Sequence, residues 1–443
     1  MTTGSPPKSP AAEAEPGGAA GQGGQQDAAG QGGSEHPSAQ AFLPVFLRNV
    51  WSANTVMVSV LAVVLAMLVG GVLILVSDEE VLAAFGYFFA APSAAASESW
   101  RALSEAYTNL FKGAILDPAQ VRSLAQGTGS WDRVLQPVSE TLTYAAPLVF
   151  TGLAVALAFR GGLFNIGAQG QALLGAIGAA TLGFALGLPP VLHMLVALLG
   201  AALAGAAWGF VPGILKARTG AHEVITTIML NHTAALFLGW LIVQRGIQDP
   251  NRSDAISKPV HRSSYLLDLP GPTLRANLGI VFAVLACAAI AWLLNRSTFG
   301  FELRAVGSNP AAARTAGMSV GRTYVLVMAI SGALAGLGGA AVVLGTEHTL
   351  TPQVVGQIGF NGILVALLGR ARPWGVLLGG LLFGALQAGG NRMQSYAQIS
   401  VELVTVLQAM IVLFIAAPAF VKTIFQLRAA RAARLETSMA KGW

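Results

Sequence analysis

The sequence predicts an all-α membrane protein, a polytopic bundle of about ten transmembrane helices. Of its 443 residues, 54% are apolar and only 10% are charged, whereas a soluble domain carries about 25% charged residues. The apolar residues gather in ten runs of 17–23 residues that contain no Asp, Glu, Lys or Arg. A helix needs roughly 17–25 residues to cross a bilayer core of about 30 Å, so every run is long enough to span.

The runs follow one another along most of the chain: 54–76, 141–159, 166–186, 191–212, 224–243, 278–294, 324–344, 353–369, 374–390 and 403–420. They lack the alternation of polar and apolar residues that a membrane β-barrel requires. The runs 353–369 and 374–390 are short and contain Gln and Asn. We expect each of these two to be a broken or re-entrant helix.

The distribution of Lys and Arg predicts that both termini lie in the cytoplasm. With ten alternating spans, 16 of the 26 basic residues fall inside. The short outer connections at 187–190, 345–352 and 391–402 hold a single Arg, as the positive-inside rule requires. This bias accounts for the net charge of +6 and removes the argument for a nucleic acid partner. The expected location is the inner (plasma) membrane.

The two ends of the chain differ from the middle. Residues 1–40 are rich in Gly, Ala and Gln, without aromatic residues or apolar periodicity, which predicts a disordered cytoplasmic tail. Residues 41–425 form the predicted transmembrane domain, and 426–443 form a basic cytoplasmic tail.

Glycine is abundant within the predicted spans. Of 53 glycines, 44 lie beyond the first forty residues, in stretches such as SGALAGLGGAAVVLG. Small residues allow membrane helices to approach closely, so we expect tight packing. The alternative is glycine-dependent bending at a gate.

The connection 295–323 combines four Arg with a helix-forming segment. Pro310 suits a first helical turn, Ser308 or Asn309 can cap it, and Gly317 can end it. A short helix over about 309–317 is therefore predicted on the inner membrane face. It is either a solvated connection or a docking element for a cytoplasmic partner.

Amide side chains inside the spans are the second group of candidates. Asn and Gln are costly in lipid unless they face protein or water, and Asn165 and Gln169 are spaced to share a helix face. They serve either as hydrogen bonds between helices or as a polar lining for an uncharged solute. The predicted pathway residues are Phe164, Asn165, Gln169, Asn231, Phe360, Asn361 and Gln387.

Three segments carry a family resemblance. STFGFELRAVGSNPAAARTAGMSV, GGLFNIGAQGQALLGAIGAA and TGAHEVITTIMLN resemble, in the expected order, the ATP-binding-cassette importer permeases for branched-chain amino acids, simple sugars and nucleosides. The last two segments look most like the nucleoside branch. The resemblance implies a permease subunit that translocates a polar neutral solute, most simply a nucleoside. It also supports an inverted repeat in which spans two to five match spans seven to ten.

The resemblance further implies three protein partners: cytoplasmic ATPase subunits, a second permease and an extracytoplasmic solute-binding lipoprotein. The residues expected to couple this chain to the ATPase are Arg304, Asn309, Pro310, Ala313, Arg314 and Gly317. The chain has no G-x-x-x-x-G-K-[ST] phosphate loop. ATP would therefore be hydrolysed by a partner, and no cofactor or metal is expected in this chain.

Alternatives within transport are a permease for sugars or branched-chain amino acids, or a self-sufficient secondary carrier. A carrier usually needs an ionisable site within the membrane, and none stands out. An integral-membrane enzyme is disfavoured because the six His are scattered and Cys287 is the single cysteine.

Overall fold

The computed structural model of the protein describes residues 55–269 and 274–425. The predicted tails at 1–40 and 426–443 lie outside these residues. Within the described part, the regular structure is helical apart from two isolated β-bridges. The all-α prediction is therefore confirmed.

The helices before residue 243 are α1 (Thr55–Ser77), α2 (Glu79–Gly86), α3 (Pro92–Ala114), α4 (Pro118–Ala125), α5 (Trp131–Arg160), α6 (Ala168–Ala185), α7 (Pro190–Thr219) and α8 (Glu223–Ile242). Those after it are α9 (Gly279–Arg296), α10 (Thr298–Ser308), α11 (Pro310–Thr315), α12 (Val320–Val342), α13 (Ile358–Leu368), α14 (Pro373–Ala397), α15 (Val401–Ala416) and α16 (Pro418–Ile424). Each of the ten apolar runs coincides with a helix, namely α1, α5 to α9 and α12 to α15.

Among the described residues, six helices are long and apolar enough to cross a membrane: α1, α5, α7, α8, α9, and α12 together with the π turn Val343–Glu347. Helix α13 has only 11 residues, about 16 Å at 1.5 Å per residue, which is half of a bilayer core. The broken helix expected in 353–369 is thus confirmed. The same expectation for 374–390 is wrong, because α14 runs unbroken for 25 residues.

Backbone conformation explains why α13 begins late. His348 has a left-handed φ of 56° and ends the π turn that follows α12. Gly356 has a φ of 47°, in the region that glycine tolerates best. The chain between them turns without regular structure, so the polypeptide reaches the middle of the bundle before α13 starts.

The segment between the first two predicted spans contains a docked helix. Helix α3 buries Ala102, Ala106 and Leu110 and packs along α14. At Gly389 of α14, a Cβ atom would overlap the carbonyl oxygen of Leu110. The hydrophobic pattern of the sequence does not predict this contact, because α3 carries charged residues on its other face.

The packing order matches an inverted repeat. Helix α12 packs against α7 and α6, and α5 packs against α14 and α13. In such a repeat, span two (α5) corresponds to span seven (α12), span three (α6) to span eight (α13), and span four (α7) to span nine (α14). The contacts of α12 with α7 and α6 therefore correspond to those of α5 with α14 and α13. The short helix α13 and the interruption before α6 occupy equivalent places in the two halves.

Glycines set the distance between α12 and its neighbours. A Cβ atom at Gly205 of α7 would overlap the carbonyl oxygen of Gly332, and one at Gly336 would overlap that of Ala201. On the other side of α12, a Cβ atom at Gly339 would overlap the carbonyl oxygen of Ala172. The backbones are in direct contact there, as expected from tight packing of small residues.

The substitution Gly336→Ala is expected to lower the thermal unfolding midpoint (Tm) of the protein in detergent by several degrees. The new methyl group forces α7 and α12 apart, and such overpacking costs about 1–3 kcal/mol. The matched control is Gly239→Ala in α8, where a Cβ atom meets nothing within 4 Å. Equal Tm values for the two variants would contradict the backbone contact.

Candidate transport pathway and coupling surface

Asn165 joins two helices, α6 and α12, from a segment that is not itself helical. It is fully buried, and its amide nitrogen donates to Gln171 Oε1 at 2.8 Å and to Ser331 Oγ at 2.7 Å. Its oxygen accepts from the N–H of Gly167 at 3.0 Å. Because α6 begins only at Ala168, the predicted shared helix face of Asn165 and Gln169 is wrong, and Gln171 is the residue that Asn165 meets.

Asn231, in the middle of α8, holds the start of α6. Its oxygen accepts from the N–H of Gly170 at 2.8 Å, and its nitrogen donates to the carbonyl of Ile166 at 2.9 Å. These are backbone groups that an interrupted helix leaves without a helical partner. The Asn231 side chain therefore makes hydrogen bonds that a further turn of α6 would otherwise make.

Gln169 holds the start of α13 by hydrogen bonds to backbone groups. Its nitrogen donates to the carbonyl of Gly356 at 2.6 Å, and its oxygen accepts from the N–H of Gly359 at 2.9 Å, in the first turn of α13. The hydroxyl of Thr151 lies 2.9 Å from the carbonyl oxygen of Ile358. Helix α13 is thus anchored from both α5 and α6.

A cavity of about 430 Å³, here called the chamber, lies between α5, α13 and α14. Asn361 and Gln387 line it together with Gln353, Gln357 and Tyr144. Thr143, Thr346 and Thr405 also line it, as do Glu347 and Arg275. Its volume falls within the range of small-molecule sites, about 300–1,000 Å³.

The structure separates the predicted pathway residues into three groups. Asn361 and Gln387 lie in the chamber. Asn165, Gln169 and Asn231 are engaged in the hydrogen bonds described above and line none of the cavities described here. Phe164 stacks on Phe159 with ring centroids 5.1 Å apart, and Phe360 is exposed on another face of α13. Participation of these residues in transport stays a prediction.

A second cavity of about 390 Å³ adjoins the chamber and shares Tyr144 and Arg275 with it. It is strongly charged: Arg392 pairs with Asp117 at 2.6 Å and Arg275 with Glu140 at 3.1 Å. The Arg392 guanidinium also lies 4.9 Å from the centroid of the Tyr396 ring. We call this cavity the mouth, because it lies at the end of the bundle where α14 finishes.

A histidine beside Glu347 of the chamber has a lowered pKa. His348 stacks on Tyr265 with ring centroids 3.7 Å apart. Burial lowers the pKa of His348, and the nearby carboxylates of Asp268 and Glu347 oppose this effect only in part.

The predicted short helix lies at the other end of the bundle, here called the coupling end. Helix α11 starts with Pro310, and the Asn309 side chain accepts from the N–H groups of Ala311 and Ala312 at 3.0 and 3.1 Å. Gly317 follows it with a φ of 83°, and Ala313 is its buried contact, packed near Val306 and Val320.

The exposed face of α11 carries Arg314, with Asn309 and Pro310 at its start. Arg304 differs from them, because it lies half-buried on α10, a second helix that the sequence did not predict. It faces a crevice instead of the exposed surface. The six residues predicted to couple this chain to an ATPase are therefore divided: five lie on or beside α11, and Arg304 faces the crevice.

Comparison with known proteins places this architecture in a family. Residues 138–416 match the family model described as "Branched-chain amino acid transport system / permease component". This chain belongs to that permease family. It is a multi-pass membrane protein that works as the permease component of a transport system.

Three relatives are informative. The permease is 40% identical over 312 residues to the guanosine ABC transporter permease protein NupP of Bacillus subtilis, covering 69% of this chain and 90% of NupP. It is 38% identical over 315 residues to the nucleoside ABC transporter permease protein NupB of Lactococcus lactis, covering 68% and 84%. It is 35% identical over 297 residues to the glucose ABC transporter permease protein TsgB13 of Haloferax volcanii, covering 64% and 77%.

Two substitutions separate structural amides from pathway amides in this permease. Asn165→Ala is expected to lower Tm, because it leaves the buried N–H of Gly167 and the amide of Gln171 without their partner, at about 1–3 kcal/mol for each such group. Gln387→Ala in the chamber is expected to leave Tm unchanged and to lower solute uptake. An unchanged Tm with lost uptake for Asn165→Ala would instead assign Asn165 to the pathway.

Proposed function

We propose that this permease is the membrane-spanning subunit of an ATP-driven importer of nucleosides in the plasma membrane, with both termini in the cytoplasm. The chamber is the observation that carries the proposal. Its four amides and three threonine hydroxyls offer both donors and acceptors to the edges of a base and to ribose hydroxyls. Tyr144 adds an aromatic surface on which a base can stack.

The functions described for the relatives agree with this chemistry. Two of the three are described as guanosine or nucleoside permeases, and the third as a glucose permease. Sugars are therefore the second candidate solute. A nucleoside differs from a sugar in its planar base, so the side chains of Tyr144 and the chamber amides would decide between them.

The coupling end supports a separate ATPase as the source of energy. The protruding helix α11 is held to the bundle by Ala313 alone among its buried residues, and it presents Arg314 outward. Such a helix fits a groove on a cytoplasmic subunit. ATP would be bound and hydrolysed on that partner, so this chain itself would carry no enzymatic activity.

Two further partners follow from exposed surfaces. Helix α8 exposes Ile225, Met229, Leu236 and Trp240, an apolar face that supports a second, different permease as its neighbour. The charged mouth at the opposite end supports docking of an extracytoplasmic solute-binding lipoprotein, because polar and charged surfaces suit transient contacts.

Charge reversal at Arg314 tests the coupling role. In cells that also express the partner subunits, Arg314→Glu is expected to reduce uptake at least tenfold and to prevent co-purification of the ATPase, because like charges across an interface cost several kcal/mol. Arg314→Lys keeps the charge and should retain part of the activity. Normal uptake by Arg314→Glu, with normal membrane levels, would contradict the docking role.

Competition experiments test the solute. Uptake of radiolabelled guanosine by cells with the complete transporter is expected to be blocked by excess adenosine and unaffected by excess glucose or leucine. The variants Asn361→Ala and Gln387→Ala should raise the KM for guanosine, because each removes a hydrogen-bonding amide from the chamber. Glucose uptake without guanosine uptake would replace the nucleoside by a sugar.

A further inference from the structure

The largest cavity described here lies at the coupling end and has no role in the proposed pathway. It is an open crevice of about 800 Å³ between α1, α9 and α14. Four arginines surround its inner part: Arg160, Arg304, Arg370 and Arg372. Its outer part is lined by apolar side chains of α1 and α14, among them Val60, Val63, Leu378 and Leu382.

The four arginines are not balanced by paired carboxylates within the described residues. Among residues 55–269 and 274–425, none of the ion pairs includes any of them. Glu302 of α10 is two residues from Arg304 and forms no ion pair with it in these residues. At the mouth, by contrast, Arg275 and Arg392 each pair with a carboxylate.

Two of the guanidinium groups are half-buried. Arg160 uses its Nε to donate to the carbonyl of Ala371 at 2.9 Å, which leaves its terminal nitrogens for another acceptor. Arg304 is half-buried as well, while Arg370 and Arg372 are exposed at the rim. Like charges gathered in a partly desolvated site repel one another, so an anion in the crevice would be strongly favoured.

The apolar wall of the crevice indicates that the anionic group belongs to a molecule with an apolar part. From Pro373 to Leu382, α14 rises about 13 Å at 1.5 Å per residue, away from the arginines and into the membrane-spanning part of the bundle. Val60 and Leu378 are 53% and 68% exposed, so the wall is open sideways to the surrounding lipid. A soluble anion would leave this surface uncovered.

We propose that the crevice binds one anionic phospholipid of the inner leaflet, with its phosphate among the four arginines and an acyl chain along α1 and α14. Basic pockets between membrane helices on the cytoplasmic side suit anionic head groups, and arginine binds phosphate oxygens in a bidentate manner. Arg304 links this site to α10, which leads directly into α11. The bound lipid would therefore stabilise the position of α11 through its contact with α10.

Lipid-dependent stability of the purified, full-length permease tests the proposal. Short-chain phosphatidylglycerol added to the detergent solution should raise Tm by several degrees, as a ligand that binds only the folded state must. Phosphatidylcholine of the same chain length and inorganic phosphate should each leave Tm unchanged. Native mass spectrometry should find one phosphatidylglycerol retained per permease.

The variant Arg304→Gln/Arg372→Gln should lose the phosphatidylglycerol shift and the retained lipid. The control Arg218→Gln/Arg322→Gln removes the same charge from exposed positions outside the crevice and should keep both. An equal Tm shift with phosphatidylcholine, or one with inorganic phosphate alone, would overturn the proposal. So would an unchanged lipid shift in Arg304→Gln/Arg372→Gln accompanied by loss of ATPase co-purification, which would assign the arginines to the ATPase instead.

Discussion

Direct backbone contact at glycines is the constraint on which the arrangement of this permease depends. Lipid offers no hydrophobic driving force for the association of apolar helices, so close packing has to supply it. At Gly205, Gly332 and Gly336 the backbones of α7 and α12 touch where any larger residue would separate them. Helix α12 thereby becomes the centre against which α5, α6 and α7 are all positioned.

Close packing also makes the interrupted helices possible. A broken helix in a membrane exposes backbone groups that lipid cannot satisfy. Here the amides of Asn165, Gln169 and Asn231 reach those groups because the surrounding helices are near enough for hydrogen bonds of 2.6–3.0 Å. Polar side chains in this bundle therefore serve two purposes. Some form hydrogen bonds with backbone groups that the interrupted helices leave unpaired, and others line the chamber.

The sequence predicted the helices well and the hydrogen-bond partners of its amides poorly. Run length and charge predicted a helix in each of the ten apolar runs, and six of these helices are long and apolar enough to span a membrane within the described residues. The residues Asn309, Pro310 and Gly317 predicted α11, because capping chemistry is local. The pairing of Asn165 with Gln171 was not predictable, because it depends on a helix that starts at Ala168, two residues after the apolar run begins. Tyr144 and the arginine crevice were missed because their members are brought together only by packing between distant segments.

One reconstitution tests the central claim that this permease moves solute only with energy from another subunit. Proteoliposomes would contain the permease, its second permease and the solute-binding protein, with or without the ATPase, and ATP would be supplied on the ATPase side. We predict accumulation of guanosine above its external concentration only when both the ATPase and ATP are present. Concentrative uptake without the ATPase, driven by an ion gradient, would contradict the account.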